Sequence, residues 1–146
     1  MQLTRAADYA VRAMIHLATA PAGARLSREE LAEAAEIPAH FSGKVLQILS
    51  KAQLITSYRG AGGGFTLARP ADSITMLEVI EAIEGPLNLN VCLTGRDLCG
   101  RSWWCGAHLV WREGQDALIG VLKKATIGGL AAQSTAMRAQ GEATWS

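Results

Sequence analysis

Four glycines in five positions, Gly60, Gly62, Gly63 and Gly64, leave the stretch around Ala61 nearly bare of side chains. Such a stretch is a poor helix or strand interior, because glycine loses the most backbone freedom on folding, but it suits a tight turn. Strand-like residues flank it, Ile55, Ser57 and Arg59 before and Phe65 and Leu67 after. The segment reads as a hairpin with a glycine-rich tip. A phosphate-binding loop is the competing reading. It fails because no Lys-Ser or Lys-Thr follows and the next residues favour a strand.

Three helices are expected ahead of this hairpin. From Leu3 to Ala20 the apolar residues Ala7, Val11, Met14, Ile15 and Ala18 share one helical face, Thr4 is placed as N-cap, and Pro21 and Gly23 end the run. Ser27 and Glu30 form a capping box that opens a short second helix reaching about Glu36. Pro38 fits the first turn of a third, where its missing N–H is not needed, and that helix should run to about Lys51. At about 100° per residue, His40, Lys44, Gln47 and Lys51 fall within about 60° of one another, while Phe41, Val45, Ile48, Leu49 and Ala52 take the other side. Gly43 lies beside the polar face, where a missing side chain permits close approach to a backbone.

Helix, helix, tight turn, helix and glycine-tipped hairpin is the order of a winged helix-turn-helix, whose last helix enters the major groove of DNA. Charge distribution agrees with it better than charge total. The 146 residues carry a formal net charge of only +1, which argues against indiscriminate nucleic-acid binding. Yet Ile37 to Ala71 contains no Asp or Glu and four cations, Lys44, Lys51, Arg59 and Arg69. Arg59, beside the glycine tip at Gly60, is placed to enter a minor groove or meet a phosphate. The acids Glu29, Glu30, Glu33 and Glu36 lie on the helix held back from DNA.

Downstream, Thr75 and Glu78 form a second capping box, and the helix it opens carries Leu77, Ile80 and Ile83 before Gly85-Pro86 stops it. Residues 86–104 show no sustained period and read as a functional loop. Ala107, Trp111, Gly114, Leu118, Val121 and Ala125 then recur at alternating spacings of four and three, a heptad seam that wants a partner helix. Ser134 to Ser146 is small and polar with one Trp and is expected to be disordered. The chain is thus expected to be mainly α with a small β-hairpin: a winged helix-turn-helix DNA-binding domain over 1–85, a cysteine-containing sensor loop over 86–104, a long dimerisation helix with its following segment over 105–133, and a tail over 134–146. No apolar run is long enough to cross a membrane and the charged N-terminus does not resemble a signal peptide, so a cytoplasmic chain is expected.

All three cysteines, Cys92, Cys99 and Cys105, fall within fourteen residues, an odd number unsuited to a disulfide framework. The pattern is Cys92-x6-Cys99-x5-Cys105-x2-His108. These gaps are too long for the knuckle of a structural zinc site and suit a loop wrapping a larger inorganic core. By themselves the residues leave cluster ligation, zinc, reactive thiols and plain buried cysteines all open. An enzyme lacks support, since there is no C-x-x-C, no Ser-His-Asp arrangement and no nucleotide loop. His16, on the first helix, reads as structural. Trp103 and Trp104 suit dimer packing, or shielding of a metal centre from water.

Met1-Gln2-Leu3-Thr4, Asp8-Tyr9-Ala10, the segment Arg59 to Phe65, Arg69-Pro70, Ile74-Thr75 and Glu78-Val79-Ile80 give a pattern that resembles the Rrf-type bacterial transcription regulators, the group that includes IscR, NsrR and RirA. The resemblance spans about residues 1 to 133. It implies a homodimeric repressor-type regulator binding a double-stranded DNA operator, with the long C-terminal helix crossing to the partner. For several members it implies a redox, nitric oxide or iron-sulfur sensor built on a cluster held here by Cys92, Cys99 and Cys105. The fourth ligand would be His108, as in IscR-like two-iron (2Fe-2S) members, or Asp8 of the partner subunit, as in NsrR-like four-iron (4Fe-4S) members. The first cysteine gap here is six residues where those members usually have five, so neither cluster geometry carries over. The alternative is a clusterless member regulated by a metabolite or partner protein.

Overall fold

The computed structural model describes residues 2–95 and 99–141. Helix α1 (Arg5–Thr19) forms the centre of the fold. Thr4 caps it as expected, its hydroxyl accepting from the Ala7 N–H, and Ala7, Ala10, Ala13, Met14 and Leu17 are buried. The alanines let neighbouring helices approach closely, and Met14 fills the space between them. Helix α2 (Arg28–Ala34) starts at the expected capping box, with the Ser27 hydroxyl accepting from Glu30 N–H at 3.1 Å and the Glu30 carboxylate accepting from Ser27 N–H at 2.7 Å. Beyond Ala35, Glu36 adopts a left-handed conformation at φ 54°, and the Ile37 N–H reaches back to Ala32 O at 2.8 Å. That turn delivers Pro38 to the start of α3 (Ala39–Lys51).

Strands β1 (Ile55–Tyr58) and β2 (Gly64–Leu67) pair antiparallel, Ile55 opposite Leu67 and Tyr58 opposite Gly64. A bridge from Leu26 to Phe65 lengthens this ribbon and ties it to the segment before α2. Two glycines are required here by close approach. A Cβ on Gly63 would stand 2.5 Å from Tyr58 O, and one on Gly64, at φ 140°, would stand 2.6 Å from Leu26 O.

Helix α4 (Met76–Glu84) starts at the Thr75–Glu78 capping box and stops at Gly85, as expected. Among the described residues the following loop contains one 3-10 turn, Val91–Leu93, before α5 (Gly106–Lys124). A second connection closes the fold. The Met76 N–H donates to Ala125 O and the Ile127 N–H to Ile74 O, both at 2.8 Å, so the end of α5 is pinned to the start of α4. Helix α6 (Ile127–Gln140) then returns to pack on α1, burying Ile127 and Ala131.

Two expectations need correction. Disorder from Ser134 is wrong over residues 134–140, which continue α6; residues 142–146 lie outside those described. The composition concealed this helix because its apolar residues form no stripe, whereas its N-cap Thr126, accepting from Gly129 N–H at 3.0 Å, was a readable signal. Ala125, the last residue of the heptad seam, is the cap beyond α5 rather than part of it. No helix among the described residues is long and apolar enough to cross a membrane.

Candidate nucleic-acid interface and cysteine pocket

Helix α3 divides into two faces. Val45, Leu46, Leu49 and the small polar Ser42 are buried, while His40, Lys44, Gln47 and Lys51 are exposed together. Ala52, expected on the packed side, is exposed because it caps the helix. The first strand of the hairpin packs against α3, and Arg59 and Gly60 are exposed at the hairpin tip.

Side-chain contacts revise the charge pattern. Arg69 is ion-paired with Glu78 at 2.8 Å, so one of the four cations of the acid-free block is neutralised from outside it. Burial raises the Glu78 pKa, but the Thr75 backbone N–H, the Arg69 guanidinium and the Thr75 hydroxyl outweigh it, leaving that carboxyl below its ordinary value. Two arginines from ahead of the block take Arg69's place. The Arg25 guanidinium lies 3.7 Å from the Tyr58 ring centroid and its Nη1 donates to Gly62 O at 3.3 Å, which braces the wing. Arg28 Nε donates to Ser42 Oγ at 3.2 Å, and its Nη1 lies 3.2 Å from where a Cβ on Gly43 would stand. The space beside Gly43 is thus filled by a guanidinium from α2. Sequence reasoning missed both arginines. Arg28 is followed by two glutamates, and no spacing rule links it to Gly43.

The cysteines gather around the start of α5. Cys92 lies in the 3-10 turn, Cys99 in the loop and Cys105 at the N-cap of α5; all are half-buried and free. With His108 they line one cavity of about 360 Å³, walled also by Val91 and Trp111. His108 is buried, its Nε2 2.7 Å from Arg112 Nη2 and its Nδ1 without a partner. A guanidinium can only donate, so Nε2 accepts and the neutral ring carries its proton on Nδ1. Among the described residues no group of three His, Cys, Asp or Glu is arranged to hold a metal ion. The donor types nevertheless suit an iron-sulfur centre, because three free thiols line the same cavity, whereas His108, with Nε2 engaged by Arg112 and a proton on Nδ1, offers no free lone pair as it stands. Asp8 is not among the lining residues. It is exposed on α1 and ion-paired with Arg12 at 2.6 Å.

Helix α5 meets α4 with only part of its circumference. Val110 and Val121 on the remaining face are about two-thirds exposed, and Trp103 is 84% exposed at the foot of the helix. Leu118 is half-buried, so the heptad seam is only partly used within one chain.

A reading helix in a helix-turn-helix, a glycine-tipped wing and a basic face together define a DNA-binding transcription regulator of the winged-helix class. The sequence profile of the Rrf2 family, described as iron-dependent transcriptional regulators, matches residues 3–133, and the chain belongs to that family. It is a transcriptional regulator and not an enzyme. It is 35% identical over 131 residues to Rv1287 of Mycobacterium tuberculosis strain H37Rv, which is named as an HTH-type transcriptional regulator, covering 90% of this chain and 81% of that one. It is 32% identical over 130 residues to the transcriptional regulator IscR of Escherichia coli K12, covering 89% and 80%. Among solved structures, CymR, the global cysteine regulator of B. subtilis, superposes with a TM-score of 0.75 at 26% identity, over 91% of this chain and 98% of that chain. IscR of T. potens shares the fold at a TM-score of 0.75 and 24% identity, over 99% and 95%.

Proposed function

We propose that this regulator acts as a homodimer on an operator and senses redox state, nitric oxide or iron-sulfur supply through a cluster held by Cys92, Cys99 and Cys105. The observation that carries this reading is that three free thiols and the buried His108 line one cavity at the foot of α5. When bound, such a cluster supplies a centre that reacts with oxygen, nitric oxide and reductants. The chain's own residues would transmit the change. Cys105 begins α5, so tying it to Cys92 and Cys99 fixes the loop against that helix. The open apolar face of α5 is the dimerisation surface in this reading, and the angle of α5 sets the spacing of the two α3 helices on DNA. Effector control follows if the tied and untied states differ in their affinity for the operator.

The DNA contacts proposed are His40, Lys44, Gln47 and Lys51 on α3, Arg59 and Gly60 on the wing, and Arg28 in the gap over Gly43. His108 becomes a ligand only if Arg112 withdraws from Nε2 or the Nδ1 proton is lost; Asp8 of the partner subunit is the other candidate. Anaerobic purification followed by iron, sulfide and absorption measurements tests the reading. The wild-type chain is expected to carry iron and sulfide with a visible chromophore, and Cys99→Ala to lose both. Full chromophore and iron content in Cys99→Ala would sink the assignment, and a colourless wild-type chain would favour the clusterless alternative. Between His108→Ala and Asp8→Ala, the variant that loses iron identifies the fourth ligand.

A further inference from the structure

A second cavity, of about 260 Å³, lies where α1, the end of α2 and α6 meet. Its apolar wall is Ile15, Ala34 and Ala35, and the rest is polar. Arg12 is already engaged, by Asp8 at 2.6 Å and more distantly by Glu36 at 3.9 Å. Arg138, from α6, has no ion-pair partner among the described residues. Arg138 and Glu36 both line the cavity, so an occupant can meet a guanidinium and a carboxylate there. The Thr19 and Thr135 hydroxyls donate to His16 O at 2.8 Å and Ala131 O at 2.9 Å. With their protons committed, these two oxygens offer lone pairs to a donor. The Ser134 hydroxyl also lines the cavity.

We infer that this cavity binds a small zwitterionic α-amino acid. Its carboxylate pairs with Arg138, its ammonium with Glu36 and a threonine oxygen, and its short side chain lies on Ile15 and Ala35. The volume lies below the range for drug-sized ligands, which suits a metabolite of several heavy atoms. Glu36 also forms the left-handed turn between α2 and α3, so an occupant held at both ends ties α6 to the junction that aims the reading helix. The inference requires no metal centre.

The test is thermal denaturation of the full chain with each common α-amino acid, with succinate and with inorganic phosphate, followed by calorimetry on whatever stabilises. At least one α-amino acid is expected to raise the midpoint, and its analogue lacking the ammonium group is not. Arg138→Gln and Glu36→Gln, both at exposed positions, are each expected to weaken that binding at least tenfold, a change of about 1.4 kcal/mol. The inference is overturned if no amino acid stabilises, if succinate or phosphate binds as well as any amino acid, or if binding survives both substitutions. Running the titration on Cys99→Ala keeps the outcomes separable. Amino-acid binding should persist there whether or not the cluster reading holds.

Discussion

At residue scale the most informative side chain is one that spacing rules pass over. Arg28 belongs to α2 yet sits on the surface of α3, anchored through Nε to a buried serine and accommodated by a glycine. Its two terminal nitrogens remain for a partner. If it reads a base edge, Arg28→Ala should cost about 1–3 kcal/mol on the preferred operator and relax preference at one position, whereas Lys44→Ala, acting on phosphate, should weaken all sequences alike and lower the salt slope by about one. Competition binding over an operator library at two salt concentrations separates the two. A second residue-scale expectation concerns acid. Burial, with the nearby Arg138 charge, lowers the His16 pKa against the opposing pull of Glu36, and Glu78 is also held low. A folded-state pKa below the unfolded one means that the unfolded chain binds more protons, so the stability due to each group is present above its unfolded pKa and lost as pH falls. Thermal midpoints should therefore decline below about pH 6.5, and His16→Gln should flatten the upper part of that decline. A midpoint that rose on acidification to pH 5 would contradict this assignment.

Among the elements, the two capping boxes are where local sequence and observed structure agree most closely. Ser27 and Thr75 each accept from a backbone N–H three residues on, and each box is closed by its glutamate. Ser27→Ala should destabilise the chain by about 1 kcal/mol, read as a lower denaturation midpoint, and because α2 carries Arg28 it should weaken DNA binding as well. Helix α5 makes the opposite case, since four of the six seam residues, Ala107, Trp111, Gly114 and Val121, are exposed among the described residues. Paired substitution Val110→Glu with Val121→Glu places charge on that open face. Sedimentation should then show a monomer with intact helical content, and operator binding should collapse. A dimer that persisted unchanged would remove α5 from the interface.

Across the whole molecule, α1 serves as a common floor, and its burial comes from residues distant in sequence. Met14 is fully buried, in one core with Leu31, Leu49, Val79 and Ile127. Met14→Ala should cost about 2–5 kcal/mol by chemical denaturation, enough to threaten a domain of ordinary stability. Helix α1 packs against α2, α3 and α4, and α4 packs against α5, so packing is continuous from the helix-turn-helix to the helix that Cys105 caps.

What the sequence determined alone was whatever depends on near neighbours: helix starts from capping residues, the glycine tip, the polar face of α3, and the gathering of three cysteines in one loop. Those signals have a range of about one helical turn or one hairpin, and the structure agrees with them. Tertiary structure alone decided that Arg69 is neutralised by Glu78, that Arg28 fills the gap at Gly43, that His108 is engaged by Arg112, and that α6 returns to α1 instead of trailing away. Most of these join residues from different elements, or depend on how a side chain is buried. Periodicity does not encode such pairings, because they follow from which surfaces the completed core brings within reach.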